Sequence, residues 1–266
     1  YNIHLLPMAL TIDDQPAPEG LDGHEYYEAL RSGADVRTSM VNPDDARKAF
    51  EPYIAQGDDV VYFSISAGIS GSWWSAKLAG DELMEQYPQR RVCPIDSMGA
   101  SLGAGIPALK ASSLVRQGMG LDELVEKMTV YCQNYCQYFA VDDLKYLRKG
   151  GRLSAAAAVA GGMLGIKPIL AVIEGKVALA GKARGLPGVY VALFKKIDEM
   201  GGIHPGYTPL LGYTVNHREL QPLLTYLQDN LHLDAPLVRQ IGCVIGTHTG
   251  PGAFGIAFFD KELVLE

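Results

Sequence analysis

Short apolar runs alternate with longer amphipathic ones through the first half of the chain. GDDVVYFSIS (57–66) places four apolar residues after a polar turn and predicts a strand. SWWSAKLAGDELMEQYP (72–88) repeats its apolar positions at helical spacing. RRVCPIDS (90–97) predicts the next strand, ending at Asp96-Ser97, and ASLGAGIPALKASSLVRQG (100–118) the next helix. GLDELVEKMTVYCQNYC (120–136) carries Asp122 and Glu123 in its first turn, where acidic side chains favour a helix N-terminus. Strands alternating with helices of this length predict βαβ units around a mainly parallel sheet.

The second half reads differently. QYFAVDDL (137–144) predicts a strand, and 145–165 a helix, a glycine turn and a helix of very small residues. IKPILAVIEGKVALAGKA (166–183) gives two strands flanking Glu174-Gly175, the signature of a hairpin. A helix near 187–200, a strand at 208–215, an amphipathic helix at 218–231 and closing strands at 237–246 and 252–259 follow. Strands joined by a tight turn favour a mixed or antiparallel sheet. The expected fold is therefore α/β with two α/β domains, 1–136 and 137–266, the first sheet mainly parallel and the second mixed or antiparallel. Ligands on open α/β sheets sit outside the carboxyl ends of the strands.

Composition narrows the function classes. Nearly half of the 266 residues are apolar and a fifth are charged, an ordinary globular balance. The formal charge of −7 argues against nucleic acid as a main partner, because phosphate binding needs a basic surface. No apolar run has the length of a membrane span, and no charged n-region with an apolar h-region is read from Tyr1 onward, so no secretory leader is expected. Tyr1-Asn2-Ile3-His4 reads as the edge of a strand, so a segment upstream of Tyr1 is expected. Cys93, Cys132, Cys136 and Cys243 form neither a CxxC pair nor a zinc set, so no metal is expected and free buried thiols in a reducing cytoplasm are.

Four stretches carry candidate chemistry. SAGISGSWWSA (66–76) puts four serines and two glycines at a strand end. Gly68-Ile69-Ser70-Gly71 is followed by Ser72, so the G-x-S-x-G nucleophile elbow fails. A serine esterase would need His248 as base and Asp96 as acid. The passive alternative is that Ser70 and the N–H groups at the start of the 72–88 helix donate to an anion; simple N-capping by Ser70 or Ser72 is a third reading. VRTSMVNPDDARKAF (36–50) starts a helix near Pro43 with Asn42 as cap, which leaves Thr38 and Ser39 for a ligand. YLRKGGRLS (146–154) follows a glycine turn with Arg152, suited to a carboxylate or phosphate, or else is a helix C-cap with a solvated arginine. GTHTGPGAFG (246–255) sets His248 in a glycine- and proline-rich turn between two expected strands, where a histidine can equally be structural.

Together these stretches resemble the DegV family, bacterial fatty-acid-binding proteins that include the acyl-carrier subunits of fatty-acid kinase. Thr38-Ser39-Met40 stands where that family has Thr-Ser-Gln, and SAGISGSWWSA where it has Ser-Ser-x-Leu-Ser-Gly-Thr-x-x-x-Ala. IDSMGASLGAG (95–105) stands for an Asp-Ser…Ser-x-Gly-x-Gly stretch, and LKYLRKGGRLS, IKPIL…EGKV and HTGPGAFGIAFF match the second domain. The resemblance covers nearly the whole chain. It implies one acyl chain buried between the two domains, with the carboxylate held by Thr38 and Ser70, Gly71 beside them, and Arg152 and His248 close to the head group. It implies a lipid-binding carrier without a cofactor, located in the cytoplasm and presenting its acid to an ATP-dependent fatty-acid kinase. The small-residue run SAAAAVAGGMLG (154–165) suits an alkyl chain or close helix packing. The family's opening strand, ending in Thr-Asp-Ser, would precede Tyr1. Met40 and Ser72 replace the family's Gln and Thr, and Trp73-Trp74 a smaller pair. The alternatives are a serine esterase and a substrate-binding relative of dihydroxyacetone kinase.

Overall fold

The computed structural model describes residues 3–153, 165–233 and 235–260. The chain divides into two compact units: residues up to Ala9 with Thr38–Gln133, and Leu10–Arg37 with the chain from Asn134 onward. The division expected from the sequence, at 136, differs from this partition chiefly by the segment Leu10–Arg37, which belongs with the second unit.

The first unit is built around two parallel strands, β4 (Val60–Ser64) and β5 (Val92–Asp96), in register from Val60↔Val92 to Ser64↔Asp96. Between them runs α3 (Ser72–Gln86), the crossover helix that parallel pairing requires. α2 (Pro43–Gln56) begins as expected: Asn42 Oδ1 accepts the Asp45 N–H at 2.8 Å, and Pro43 occupies the first turn. α2 and α3 enclose a core of Val41, Ala46, Phe50, Ile54, Ala76, Ala79, Leu83 and Val92. α4 (Leu102–Arg116) packs on β4, and α5 (Leu121–Gln133) on β5 and α4. Ile3–Met8 form no strand, contrary to the expected opening; Tyr1 and Asn2 lie outside the described residues.

The second unit holds a six-stranded sheet ordered β10-β9-β11-β6-β7-β8. Its strands are β6 (Tyr135–Ala140), β7 (Ile166–Ile173), β8 (Lys176–Arg184), β9 (Leu210–Tyr213), β10 (Leu237–Gln240) and β11 (Phe254–Phe259). Only β9 and β10 pair in parallel, so the sheet is mixed. Glu174 and Gly175 both take positive φ, 49° and 72°, the conformation a two-residue hairpin turn demands between β7 and β8. β11 is buried at every position, flanked by β6 and β9. α7 (Gly185–Glu199) and α8 (Gln221–Leu231) cover the sheet with Val189, Leu193, Ile197, Leu223 and Leu227 against Ile169, Leu211, Phe254 and Ile256.

The segment Leu10–Arg37 contributes the hairpin strands β1 (Ala9–Ile12) and β2 (Gln15–Pro16), the helix α1 (Gly23–Arg31) and the start of β3 (Val36–Ser39). α1 docks on α9 (Cys243–Thr249): Tyr26 Oη lies 2.7 Å from Thr247 Oγ1, and the Tyr27 hydroxyl donates to the Ile241 carbonyl at 2.6 Å. The closing strand expected over 237–246 therefore ends at Gln240. Gly242 starts a helix instead, whose Gly246 presses against the Tyr27 ring. The small-residue run at 154–164 falls outside the described residues.

Candidate functional site

In the first unit the serine-rich stretch forms a compact turn at the carboxyl end of β4. The Ser66 carbonyl accepts the N–H groups of Ile69 at 2.9 Å and Ser70 at 3.0 Å, and Ser66 Oγ accepts Gly68 N–H at 3.1 Å. Gly71 is the N-cap of α3 and no side chain caps it, so neither Ser70 nor Ser72 is the helix cap. Both hydroxyls are buried, and they lie 3.0 Å apart. Ser72 Oγ accepts the Val41 N–H at 3.1 Å, while Ser70 Oγ accepts the Ser72 N–H at 3.3 Å. With Ser72 as donor to Ser70, the Ser70 hydrogen remains for another acceptor.

The same contacts bring the two polar stretches of this unit together. Val41 bonds to Ser72, and the Met40 thioether lies on Gly71, so the backbone after Thr38 runs beside the Ser70–Ser72 turn. Thr38 is half-buried at the end of β3, and Ser39 and Met40 are exposed. Trp73 donates from Nε1 to the Pro94 carbonyl at 3.1 Å and stacks edge-on with the exposed Trp74. The esterase reading needs Asp96 as the acid of a triad. The structure gives that carboxylate to backbone donors instead, Ala67 N–H at 3.1 Å and Met98 N–H at 2.8 Å. This role was missed; its sequence signal is an aspartate at a strand end followed by Ser97-Met98-Gly99, the form of an Asx turn.

In the second unit α6 (Lys145–Lys149) ends at Gly150 and Gly151. The two glycines do different work. Gly151 takes φ +69°, a left-handed conformation that closes the helix. Gly150 is in ordinary helical geometry, but a Cβ there would overlap the imidazole of His248. The Arg152 guanidinium donates to the Gly150 carbonyl, so Arg152 folds back over the same turn and is half-buried. Arg152 and His248 thus meet at one glycine turn within this unit. His248 lies in the last turn of α9, not in a turn between strands. Burial and then the positive charge of Arg152 hold its imidazole down at about 4, so it is neutral near neutral pH. The arrangement offers one fixed cation beside a neutral imidazole. At the other end of the turn, Lys149 pairs with Asp35 at 2.6 Å.

All four cysteines are free thiols. Burial pushes Cys136 up to about 11 and Cys132 to about 12, so neither is a reactive thiolate. Among the described residues, no three His, Cys, Asp or Glu side chains are grouped to hold a metal ion, and no helix is long and apolar enough to cross a membrane.

A family profile described as "Uncharacterised protein, DegV family" matches residues 1–261. A DegV domain-containing protein of Clostridium perfringens is 30% identical over 262 residues, covering 97% of this chain and 90% of that protein. A fatty-acid-binding DegV family protein of Thermus thermophilus superposes with a TM-score of 0.86 at 27% identity, over 96% of this chain and 91% of that one. The Streptococcus pneumoniae fatty acid kinase (Fak) B3 protein, solved loaded with linoleic acid, has a TM-score of 0.84 at 23% identity, over 96% and 90%, and shares the fold.

Proposed function

The chain belongs to the DegV family, and from that premise we propose that it binds a long-chain fatty acid and carries it for phosphorylation by a separate ATP-dependent kinase. Thr38, Ser70 and Gly71 are assigned to the carboxylate. The observation that carries this assignment is the seating of the 38–41 backbone on the Ser70–Ser72 turn through Val41, Ser72, Met40 and Gly71. Two polar stretches, whose contact at Val41 and Ser72 spans 31 positions of sequence, converge there. Ser70 then needs no base, because it donates a hydrogen bond and attacks nothing.

Affinity comes from the tail in this reading. About fourteen methylenes at ~0.8 kcal/mol each contribute on the order of 10 kcal/mol on full burial. Two neutral hydrogen bonds add about 1–3 kcal/mol net and select the head group. Arg152 and His248 are assigned as ligand-binding residues of the second unit. A guanidinium suits the charge that develops when a carboxylate attacks a phosphoryl group, and a neutral imidazole suits hydrogen bonding to the head group. In this reading the protein itself is a non-catalytic carrier that works in the cytoplasm. The fatty-acid ligand of the Thermus relative supports the lipid, and family membership supports the kinase.

Mass spectrometry of gently purified protein tests the reading. The expected result is a non-covalent acid of about fourteen to eighteen carbons, long enough for the burial above. A covalent three-carbon adduct on a histidine would replace the carrier reading with that of a dihydroxyacetone-kinase relative.

A further inference from the structure

We infer that Asp96 is the positioning residue of the carboxylate site, holding the Ser70 turn in place from beneath by bonds to two loops at once. The inference rests on the assignment of Ser70 to the ligand head group. Asp96 is the last residue of β5, level with Ser64 at the end of β4. One of its carboxylate oxygens accepts Ala67 N–H at 3.1 Å, in the loop after β4. The other accepts Met98 N–H at 2.8 Å, in the loop after β5. Backbone bonds tie the same two loops: Ser66 N–H to the Gly99 carbonyl at 2.8 Å, and Ser97 N–H to the Ser64 carbonyl at 3.1 Å.

The consequence for Ser70 follows from how its turn is wound. Ser66 accepts from both Ile69 and Ser70, so residues 66–70 move as one unit. Ala67 lies inside that unit. A bond that fixes the Ala67 N–H therefore fixes the backbone from which the Ser70 side chain projects, three residues on. Met98 shows that the arrangement works against local preference, since it holds φ +55° without being glycine. A charge-assisted bond from its N–H to Asp96 offsets that strain.

Charge separates positioning from a purely electrostatic effect. Asp96 is half-buried, and its negative charge is the second cause, after burial, that raises the thiol of Cys132. An anion beneath a carboxylate site weakens anion binding by Coulomb repulsion alone. Electrostatics without positioning therefore predicts that the isosteric Asp96→Asn change tightens acid binding. Positioning predicts the reverse, because the new amide NH2 faces a backbone N–H that needs an acceptor.

The test compares palmitate and hexadecanol binding by calorimetry in wild type, Asp96→Asn and Ser70→Ala, with amide hydrogen exchange on the unliganded proteins. Asp96→Asn should weaken palmitate on the order of tenfold, as Ser70→Ala does, and hexadecanol by less than about twofold. The Ala67 and Met98 amides should exchange on the order of tenfold faster in Asp96→Asn, while those of Tyr62 and Ile95 in the strands stay protected. Palmitate binding that is unchanged or tighter overturns the inference, and so does an equal loss for acid and alcohol. Unchanged exchange at Ala67 and Met98 overturns it whatever the lipid data. Faster exchange in a protein whose wild type binds no palmitate supports the clamp and retires the fatty-acid reading instead.

Discussion

Gly150 carries the imidazole of His248 directly on its Cα: a side chain at 150 would occupy the space of His248 Nδ1. Gly150→Ala should therefore cost about 1–3 kcal/mol by overpacking. Gly151→Ala should cost about 1–2 kcal/mol for a different reason, its left-handed φ. Urea unfolding of both single variants and of each combined with His248→Ala separates the causes. The Gly150 penalty should shrink when the imidazole is gone, and the Gly151 penalty should not.

His248 also makes stability depend on pH. Its folded value, about 4, lies below the ordinary 6.5. Between those values the unfolded chain binds more protons than the folded one, so stability rises with pH. The contribution is fully present above about pH 6.5 and is lost as pH falls toward 4. Thermal unfolding measured across that window should show a steeper acid loss in wild type than in His248→Gln. Parallel curves would show that other groups dominate acid unfolding.

Ser70→Ala should weaken fatty-acid binding by ~1 kcal/mol or slightly more and leave fatty-alcohol binding less affected. The alanine keeps the turn, because Ser66 and not Ser70 winds it, and Gly71 caps the helix without a side chain. Equal losses for acid and alcohol would mean that Ser70 serves only the hydrogen bonds to Ser72.

These sites were legible in the sequence to different depths. The Asn42-Pro43 helix start and the Glu174-Gly175 turn are local events, and local residue chemistry dictates both. The alternation of strand and helix around β4, α3 and β5 was equally local. The strand expected at 241–246 failed because IGCVIG is a short apolar run whose period does not distinguish strand from helix. What decides it is Tyr27, more than 200 residues earlier, whose hydroxyl takes the Ile241 carbonyl and whose ring lies on Gly246. The segment 10–37 was silent for the same reason, since its elements are short and held by contacts distant in sequence. GGR stood out as a motif, but its spacing could not say that the first glycine serves a histidine 98 positions later.

Arg152 offers the sharpest division between binding and turnover. Its charge is the second cause, after burial, of the low pKa of His248. Arg152→Ala should therefore raise the His248 titration toward its ordinary value, read from the imidazole proton shifts by NMR. In the carrier reading the acyl tail supplies most of the binding energy, and this change leaves it untouched. Interactions made mainly with charge developing in a transition state lower rate and leave ground-state affinity alone. Arg152→Ala should thus purify with bound lipid yet lose most acyl-phosphate formation with a partner kinase. Titrating the kinase separates the two ways this can happen: a docking defect is rescued at high kinase concentration, and lost charge stabilisation is not. A variant that purifies empty would place Arg152 among the groups that hold the ground-state carboxylate, and a fully active Arg152→Ala, His248→Ala pair would remove both residues from the reaction.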